Sequence, residues 1–483
     1  MSSVPLWTVE AMAQAMGAQA VGASRGGVLP ASITGISIDS RSNGRGEAFF
    51  AIQGDTRDGH DFVSTALANG AGLAVVAADK RDAFPKDAPL LVVADVLEGL
   101  RDLARASRAR SQAQVIGVTG SVGKTGTKEA LRLALAPSGE THWSVASYNN
   151  HWGVPLSLAR CPAGARFAVF ELGMNHVGEI EPLSRLVQPH VAIVTTIAPV
   201  HLEHLGSIEA IADAQAEIFG GLVPGGAAVI NRDIPQFERL ARAAEAAGAR
   251  VVSFGEHAKA DARLLALSLH GDCSTARAKI LGTDVTYKLG APGRHVVMNS
   301  LAVLAAASLA GADLARAALA LAGVAPPTGR GARSELELAG GRALLIDESY
   351  NANPASMQAA IALLGQADVT GQGRRIAVLG DMLELGPRGA DLHRRLVEPV
   401  VAQDIDLVFC CGPLMHSLWE ALPSERRGAY AETSAALEPQ VLAAIRPGDA
   451  IMIKGSLGSR MGPIVKALEN NYSRNALAAP SQG

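Results

Sequence analysis

Residues 114–135 read QVIGVTGSVGKTGTKEALRLAL and constrain the fold more than any other part of this 483-residue chain. An apolar run is followed by a glycine-containing loop and then by helix formers, which is the order strand, loop, helix. Glycines in such a loop let backbone N–H groups close around phosphate oxygens, and the following helix presents the positive end of its dipole. The stretch therefore predicts a nucleotide-phosphate site made of Thr119, Gly120, Ser121, Val122, Gly123, Lys124 and Thr125.

This loop departs from the strict GxxxxGK[ST] pattern, because Val118 stands where the first glycine is expected. On the functional interpretation, Lys124 neutralises the β- and γ-phosphates and the Thr125 hydroxyl reaches Mg²⁺. The alternative is an ordinary tight turn with an exposed lysine. The strand–loop–helix context favours nucleotide binding, with ATP and Mg²⁺ as the expected cofactors.

Apolar runs alternate with helical patterns along most of the chain. The runs QVIGVT, FAVFEL, VAIVTTI and GAAVINR precede the linker APPTGRGARSE, and ALLIDES, RRIAVLGDM, DLVFCCG and AIMIKGS follow it. Near-continuous apolar runs of this length are typical of parallel strands covered on both faces. The pattern predicts an α/β protein of three domains: a small α/β domain over 1–94, a central P-loop domain with a mostly parallel sheet over 95–327, and a Rossmann-like α/β domain over 328–483.

Composition excludes several classes of protein. Hydrophobic residues make up 48% and charged residues 18% of the chain, as in a globular protein, and the net charge of −3 provides no general attraction to nucleic acid or anionic membranes. The first residues lack the pattern of a signal peptide. The tract Leu301–Ala325 is interrupted by Asp313 and Arg316, which predicts a buried helix pair rather than a membrane span. A cytoplasmic monomer is expected, with no nucleic-acid partner and no membrane insertion.

Polar side chains follow two of the predicted strands. Glu171 closes FAVFEL, and His201 and Glu203 follow VAIVTTIAPV. Open α/β sheets place their ligands at the carboxyl ends of the strands, so Glu171 and His201 are candidates for a magnesium site near the phosphate loop. The alternative is a pair of solvated loop ends. HLEH fits neither zinc pattern, HExxH nor HxxEH.

Beyond this pattern, the sequence resembles the Mur ligases, the ATP-dependent amino-acid ligases of peptidoglycan precursor synthesis. The resemblance spans nearly the whole chain and is carried by SIDSRSNGRGEAFFAIQGDTRDGHDFV, TGSVGKTGTKE, YNNHWGVPLSL, FELGMNHVGEI, PVHLEHLGS, APGRHVVMNSLAVLAAA, PPTGR, IDESYNANPASM, VLGDMLELG and IMIKGS. SYNANP and GDMLELG are the most discriminating pair, and they indicate the branch that adds D-alanyl-D-alanine to a UDP-N-acetylmuramoyl-tripeptide.

The resemblance implies a role for each matching residue. The first domain would hold the UDP end of the substrate through Ser40, Arg41, Gly54, Asp58 and His60. Thr125, Glu171 and His201 would hold the metal. The substrate-binding residues would be Asn149, Asn150, Asn351 and Asn353. ATP would be bound, beyond the loop itself, by Arg294, His295, Asn299, Arg330, Asp347 and Tyr350. The catalytic residues would be Lys124, Glu171, His201 and Arg330.

The implied reaction starts when the terminal carboxylate of the tripeptide attacks the γ-phosphate of ATP, giving an acyl phosphate and ADP. The amine of D-alanyl-D-alanine then displaces phosphate. The third domain would close over the central one to exclude water, with its hinge around Thr328–Arg333.

Three departures from the family pattern stand out. Gln215 occupies a position where Mur ligases often have a lysine that is carbamylated and helps hold a second magnesium ion. Gly126 replaces a common hydroxyl residue, and Arg460 is spaced further from Lys454 than is usual. A glutamine forms no carbamate, so we expect a weakly held second metal and no dependence on bicarbonate.

Other functions stay open from the sequence. The preceding ligase of the pathway adds a diamino acid, but its DNPR-type motif is absent and SYNANP stands in that region. Folylpolyglutamate synthetase shares the phosphate loop and lacks this first domain. A protein that binds the UDP-linked peptide without turning over ATP is an alternative from a different class, which the intact Lys124, Thr125, Glu171 and His201 argue against.

Overall fold

The fold is built around three large β-sheets, each flanked by helices. The computed structural model describes residues 5–21, 29–54, 57–145, 147–200, 205–325 and 329–472. The predicted class is confirmed: these are three α/β units with mostly parallel sheets. Within the described residues, no helix is long and apolar enough to cross a membrane.

The first unit contains a five-stranded sheet and a two-stranded antiparallel pair. Its elements are β1 (Trp7–Thr8), α1 (Val9–Met16), β2 (Gln19–Val21), β3 (Ser32–Ile33), β4 (Ile36–Ser37), β5 (Ala48–Phe50), α2 (Val63–Ala68), β6 (Leu73–Ala77) and β7 (Leu90–Val93). The larger sheet has the order β2-β7-β6-β5-β4 and is parallel except where β2 meets β7. The strand β1 pairs with β3.

The central unit has a nine-stranded sheet. Its elements are α3 (Val96–Arg110), β8 (Gln114–Thr119), α4 (Lys124–Leu135), β9 (Thr141–Trp143), α5 (Gly153–Ala159), β10 (Phe167–Glu171), α6 (Ile180–Val187), β11 (Val191–Val194), α7 (Ile208–Ala216), β12 (Ala227–Asn231), α8 (Phe237–Ala246), β13 (Arg250–Gly255), β14 (Ala262–Leu269), β15 (Ser274–Ile280), β16 (Thr283–Leu289), α9 (Arg294–Leu309) and α10 (Leu314–Ala320). Its order is β16-β15-β14-β13-β12-β11-β8-β10-β9. The sheet is parallel from β9 to β14, and β15 and β16 extend it in antiparallel fashion.

The last unit has a six-stranded sheet of order β17-β18-β22-β19-β20-β21. Its elements are β17 (Ala332–Leu338), β18 (Gly341–Glu348), α11 (Pro354–Gly365), β19 (Arg375–Gly380), α12 (Gly389–Arg394), α13 (Val397–Ala402), β20 (Leu407–Cys411), α14 (His416–Ala421), β21 (Arg427–Ala431), α15 (Ser434–Ala444), β22 (Ala450–Lys454) and α16 (Gly462–Asn471). Only β17 runs antiparallel to its neighbour. Short 3₁₀ segments occur throughout the chain at Gly59–Phe62, Ala78–Ala83, Ala136–Ser138, Glu217–Gly221, Leu321–Gly323, Gly386–Arg388, Ser424–Arg426 and Leu457–Ser459.

Burial explains why the apolar runs form inner strands. Five of the six residues of β8 are fully enclosed, with β10 on one side and β11 on the other. A strand that is covered on both faces has no solvent side, so its sequence shows no alternation. The predicted helix pair is also confirmed, because α9 and α10 occupy most of the tract 301–325 and bury most of their alanines in the core.

The first and central units share one hydrophobic core. Side chains of α1 and of the first sheet pack in the same cluster as α5 and one face of the central sheet. Two hydrogen bonds add to this junction: Trp7 Nε1 donates to the carbonyl of Ala159 at 2.9 Å, and Arg160 Nε donates to the carbonyl of Ile36 at 2.7 Å. The helix α3 contacts both units, and residues 326–328 lie outside the described part of the chain. The predicted boundaries at 94/95 and 327/328 therefore stay predictions.

Candidate active site

The phosphate loop connects the end of β8 to the start of α4, as the sequence predicts. Gly120 has a φ of +133° and Gly123 a φ of +90°. A Cβ at Gly120 would overlap Thr195 Oγ1, and one at Gly123 would lie 2.5 Å from Asn299 Nδ2. Both positions thus require glycine, for the backbone angle and because neighbouring side chains lie directly against the loop.

The backbone N–H groups of the loop fall into two sets. Those of Gly120 and Ser121 are used inside the protein: the first donates to Gln215 Oε1 and the second to the carbonyl of Thr196, each at 2.9 Å. In the described residues, the N–H groups from Val122 to Thr125 have no protein acceptor. They precede or begin α4, whose N-cap residue Gly123 offers no side-chain cap. Unpaired N–H groups at a helix N-terminus form an anion site.

Two cations flank this anion site. Lys124 Nζ donates to the carbonyl of Gly120 at 2.6 Å, and the Arg330 guanidinium lies over the Tyr350 ring, 4.5 Å from its centroid. Burial lowers the pKa of Lys124, Glu171 opposes that shift, and the positive charge of Arg330 adds to it. In the described part of the chain neither cation forms an ion pair with a carboxylate. An anionic phosphate would supply the counter-charge that the two cations lack.

Glu171 lies at the end of β10, beside the first turn of α4. Its side chain is only 1% exposed, and Thr125 Oγ1 lies 3.2 Å and 3.0 Å from its two oxygens. Asn149 Nδ2 donates to Glu171 Oε1 at 2.9 Å and so orients the carboxylate. Carboxylate and hydroxyl oxygens next to a phosphate site are ligands that suit Mg²⁺.

The remaining predicted metal ligand is outside the structure's description. His201 and Glu203 both lie in 201–204, which the structure does not describe. Elsewhere in the chain, within the described ranges, no group of three or more His, Cys, Asp or Glu side chains is placed to hold a metal ion. The assignment of His201 therefore stays a prediction.

A cavity of about 600 Å³ joins these parts and is lined by both the central and the last unit. Fourteen predicted site residues line it: Ser121, Val122, Gly123, Lys124, Thr125, Asn149, Asn150, Glu171, His295, Asn299, Arg330, Tyr350, Asn351 and Asn353. The lining also includes apolar residues, namely Leu289, Ala291, Pro292, Val296, Val324, Ala359, Ala360 and Leu363. The cavity therefore combines polar groups suited to phosphates with apolar groups suited to a flat base.

Three family models match the chain: Mur ligase family, catalytic domain, over residues 32–109; Mur ligase middle domain, over 118–307; and Mur ligase, glutamate ligase domain, over 333–457. The UDP-N-acetylmuramoyl-tripeptide–D-alanyl-D-alanine ligase of Bacillus subtilis is 34% identical over 441 residues, which cover 90% of this chain and 93% of that protein. The chain belongs to the Mur ligase family.

Further matches agree with the MurF type of Mur ligase. The Escherichia coli protein of the same name as the Bacillus one is 33% identical over 443 residues, covering 91% of this chain and 94% of its own length. The crystal structure of MurF from Acinetobacter baumannii aligns with a TM-score of 0.82 at 30% identity, covering 97% of this chain and all of that one. The MurF ligase from Thermotoga maritima, solved in complex with ADP, aligns with a TM-score of 0.74 at 26% identity over 92% of this chain and 98% of its own.

Some predicted nucleotide residues of this Mur ligase lie behind or beside the cavity. Thr119 is fully buried, and its hydroxyl lies 2.8 Å from the carbonyl of Leu172. Arg294 is exposed and pairs with Glu256. Asp347 accepts from Gly329 N at 3.0 Å, which shapes the turn that presents Arg330. For Thr119 and Asp347, the geometry favours a supporting position over a ligand contact.

The predicted UDP residues lie in the first unit of this Mur ligase, apart from the cavity. Asp58 and His60 contact each other, with Asp58 Oδ1 2.6 Å from His60 Nδ1, and Lys80 Nζ lies 3.3 Å from Asp58 Oδ2. Partial burial acts to raise the pKa of Asp58, but hydrogen bonds from the backbone and ring of His60 and from Lys80 hold it at about 2.

His60 is further fixed because its Nε2 accepts from the N–H of Ala77 at 3.0 Å. Arg41 pairs with Asp39, the carbonyl of Ser40 accepts from Asn69, and the N–H of Gly54 donates to the carbonyl of Arg57. Their role toward UDP stays a prediction.

The cavity wall of this Mur ligase contains an ion pair, between Lys454 and Glu348, that the sequence analysis did not predict. Lys454 Nζ donates to Glu348 Oε2 at 3.0 Å and to the carbonyl of Asn351 at 2.9 Å, and its side chain is 2% exposed. The two residues are direct partners where β18 pairs with β22. Enclosure within the cavity lowers the pKa of His295; Glu348 opposes this shift and Lys454 adds to it. The motif IMIKGS contained Lys454, but no local pattern indicates its partner 106 positions away.

Bicarbonate is expected to leave the turnover of this Mur ligase unchanged. Gln215 has no amine to form a carbamate, and its carbonyl oxygen is already engaged by Thr119 Oγ1 at 2.5 Å and by Gly120 N. The measurement is the initial rate in buffer depleted of carbon dioxide, with and without added bicarbonate. A clear stimulation would contradict this expectation.

Proposed function

We propose that this chain is an ATP-dependent ligase that joins D-alanyl-D-alanine to the terminal carboxylate of UDP-N-acetylmuramoyl-tripeptide. The observation that carries the proposal is the cavity itself, where an anion site with two cations faces Tyr350 and Asn351 of the last unit. The names of relatives that align over nine-tenths of the chain support the choice of substrates.

In the proposed first step, a carboxylate oxygen of the tripeptide attacks the γ-phosphorus of ATP. The bond to the β-γ bridging oxygen breaks, and the products are an acyl phosphate and ADP. Two anions must approach each other, and Lys124 and Arg330 are placed to offset their repulsion. The unpaired N–H groups from Val122 to Thr125 hold the phosphates in place meanwhile.

In the second step, the amine of the dipeptide attacks the activated carbonyl carbon. A tetrahedral intermediate forms and expels phosphate, and the amine nitrogen loses a proton. Asn149, Asn150, Asn351 and Asn353 line the cavity and are proposed to position the two substrates. Asn353 also caps α11, since its side chain accepts from Ser356 N at 2.9 Å.

Magnesium is proposed to bind at Glu171 and Thr125, with His201 as a further ligand. When bound, it would neutralise charge on the phosphates of ATP. Asn149 holds the Glu171 carboxylate in one orientation, and the burial of that carboxylate keeps bulk water from competing.

The wider setting is part of the same proposal. ATP and UDP-linked precursors are cytoplasmic nucleotides, so we place the enzyme in the cytoplasm. One chain supplies both walls of the cavity, so a monomer suffices for activity.

Phosphate release from ATP is expected only when UDP-muramoyl tripeptide and D-alanyl-D-alanine are both present. Purified protein would be assayed with the tripeptide and, separately, D-alanyl-D-alanine, D-alanine or diaminopimelate. Turnover with UDP-muramoyl dipeptide and a diamino acid instead would assign the chain to the preceding step. No turnover of ATP with any combination would favour a binding protein.

A further inference from the structure

A buried amide side chain lies directly behind the phosphate loop. Gln215 is in the last turn of α7 and is 2% exposed. Its neighbours on that helix, Ile211, Ala212 and Ala214, are buried apolar residues. A polar side chain in such surroundings is costly unless it is hydrogen-bonded, so its contacts indicate what it does there.

Within the described residues, the hydrogen-bonding contacts of the Gln215 side chain are all to the loop. Its Oε1 lies 2.9 Å from Gly120 N and 2.5 Å from Thr119 Oγ1. A backbone N–H is always a donor, so the atom that faces Gly120 must be the carbonyl oxygen and not the amide nitrogen. Thr119 Oγ1 lies between this oxygen and the carbonyl of Leu172, 2.8 Å away, and its single proton serves one of these two acceptors at a time.

The hydrogen bond from Gly120 to Gln215 helps to determine which backbone N–H groups of the loop are available to an anion. With its N–H held by Gln215, Gly120 is turned away from phosphate, as is Ser121 through the carbonyl of Thr196. On the same side, Thr195 Oγ1 donates to the carbonyl of Val122 at 2.6 Å. These contacts hold the rear of the loop, and the front N–H groups from Val122 to Thr125 are left for an anion.

We propose that Gln215 is a positioning residue, which keeps the phosphate loop in its anion-binding conformation before nucleotide arrives. This inference rests on the proposed function, since it assigns to Gln215 the pre-organisation of the same ATP site. Gln215 is not among the residues that line the cavity, so we assign it no contact with substrate. Because the loop is already ordered, the binding free energy of ATP is not reduced by the entropy cost of ordering it.

The central variant is Gln215→Met, which keeps the length of the side chain and removes the acceptor. Its Gly120 N–H has no partner, so the empty loop becomes disordered and nucleotide binding must order it. Fixing even one residue reduces affinity roughly tenfold, so we expect Kd for ADP and KM for ATP to rise about tenfold or more. Because the bound loop is the same, kcat is expected to stay within about threefold, and KM for the UDP-linked tripeptide is expected not to change.

Hydrogen exchange provides a second readout, which is the exchange rate of the phosphate loop itself. In the protein without nucleotide, a peptide covering 114–124 is expected to exchange faster in Gln215→Met than in wild type, and ADP is expected to restore protection. Gln215→Glu keeps an oxygen acceptor and is expected to retain the slow exchange. The control is Asp213→Asn, on the exposed face of the same helix, where Asp213 pairs with Arg239.

Each outcome decides the matter. Unchanged ADP affinity and unchanged exchange in Gln215→Met would overturn the inference and leave the proposed function standing. A fall in kcat with unchanged Kd for ADP would also overturn it. If wild type binds ADP but releases no phosphate with its substrates, the proposed function fails while the exchange and ADP data still test Gln215. Should Gln215→Met not fold, Gln215→Asn withdraws the acceptor by one methylene group and is expected to show the same rise.

Discussion

Replacing Lys124 by methionine is expected to lower kcat by about 10²–10³-fold, equivalent to about 3–4 kcal/mol of transition-state stabilisation. Its ammonium group is one of two cations at the proposed phosphate site, and methionine fills similar space without charge. The negative charge that develops during phosphoryl transfer would then face Arg330 alone. The measurement is the steady-state rate of phosphate release at saturating ATP, tripeptide and dipeptide.

The melting temperature of Lys124→Met is expected to show that its loss of activity is not caused by misfolding. Burial lowers the pKa of Lys124 below its value in the unfolded chain, so the charged form is disfavoured by folding at neutral pH. Removing the charge is therefore expected to leave the melting temperature unchanged or higher. Lys466→Met, at an exposed position on α16, is the matched control and should retain full activity. A Lys124→Met enzyme within about tenfold of wild type would contradict the role given to this residue.

Replacing Glu171 by glutamine is expected to lower the rate about 100-fold at moderate Mg²⁺ and to raise the Mg²⁺ concentration needed for half-maximal rate. The change is nearly isosteric, and the amide oxygen can still accept from Asn149 Nδ2. What is lost is the negative charge, which is the main attraction of this site for a divalent cation. The measurement is initial rate against free Mg²⁺ concentration for both proteins.

The control for this experiment is Glu181→Gln, an exposed carboxylate that pairs with Arg185 on α6. It should leave the Mg²⁺ dependence unchanged. If Glu171→Gln has the wild-type dependence on Mg²⁺ and the wild-type rate, Glu171 is not a magnesium ligand. The buried contact with Thr125 would then be a structural one.

The inner strands could be predicted from sequence because burial on both faces leaves an unmistakable apolar run. The run QVIGVT coincides with β8, and the runs that include FAVFE and AAVIN contain β10 and β12. A side chain that caps the backbone marks the start of two helices, and such residue types are a signal available in the sequence. Asp95 accepts from Glu98 N at 2.7 Å at the start of α3, and Asn353 with Pro354 begins α11.

The antiparallel extension of the central sheet by β15 and β16, beyond β14, was not predicted. Its strands have one covered and one exposed face, so residues such as Arg277 and Lys279 alternate with buried alanines in β15. They offer short mixed sequences instead of apolar runs, and the pairing of β14 with β15 is set by contacts that no single strand reveals.

In the candidate site, local sequence features could also be predicted, whereas contacts between distant segments could not. The phosphate loop is local, and its glycines, Lys124 and Thr125 lie where the sequence predicts. No sequence pattern indicates a contact between distant segments, such as the hydrogen bond between Gln215 and Gly120, which are 95 positions apart. Arg294 lies at the start of α9, close to cavity residues, but its side chain pairs with Glu256 at the surface, and its role toward ATP stays a prediction. A motif indicates the backbone position of a residue more surely than the direction of its side chain.

The junction between the first and central units has a consequence for how such proteins diverge. Trp7 and Arg160 each donate to a main-chain carbonyl of the other unit, at Ala159 and Ile36. A carbonyl is present whatever residue carries it, so only one member of each pair is constrained by the hydrogen bond. The side chains of Ala159 and Ile36 are constrained by packing in the shared core and not by these bonds, so correlated substitutions between the hydrogen-bonded partners should be scarce even though the two units share one core.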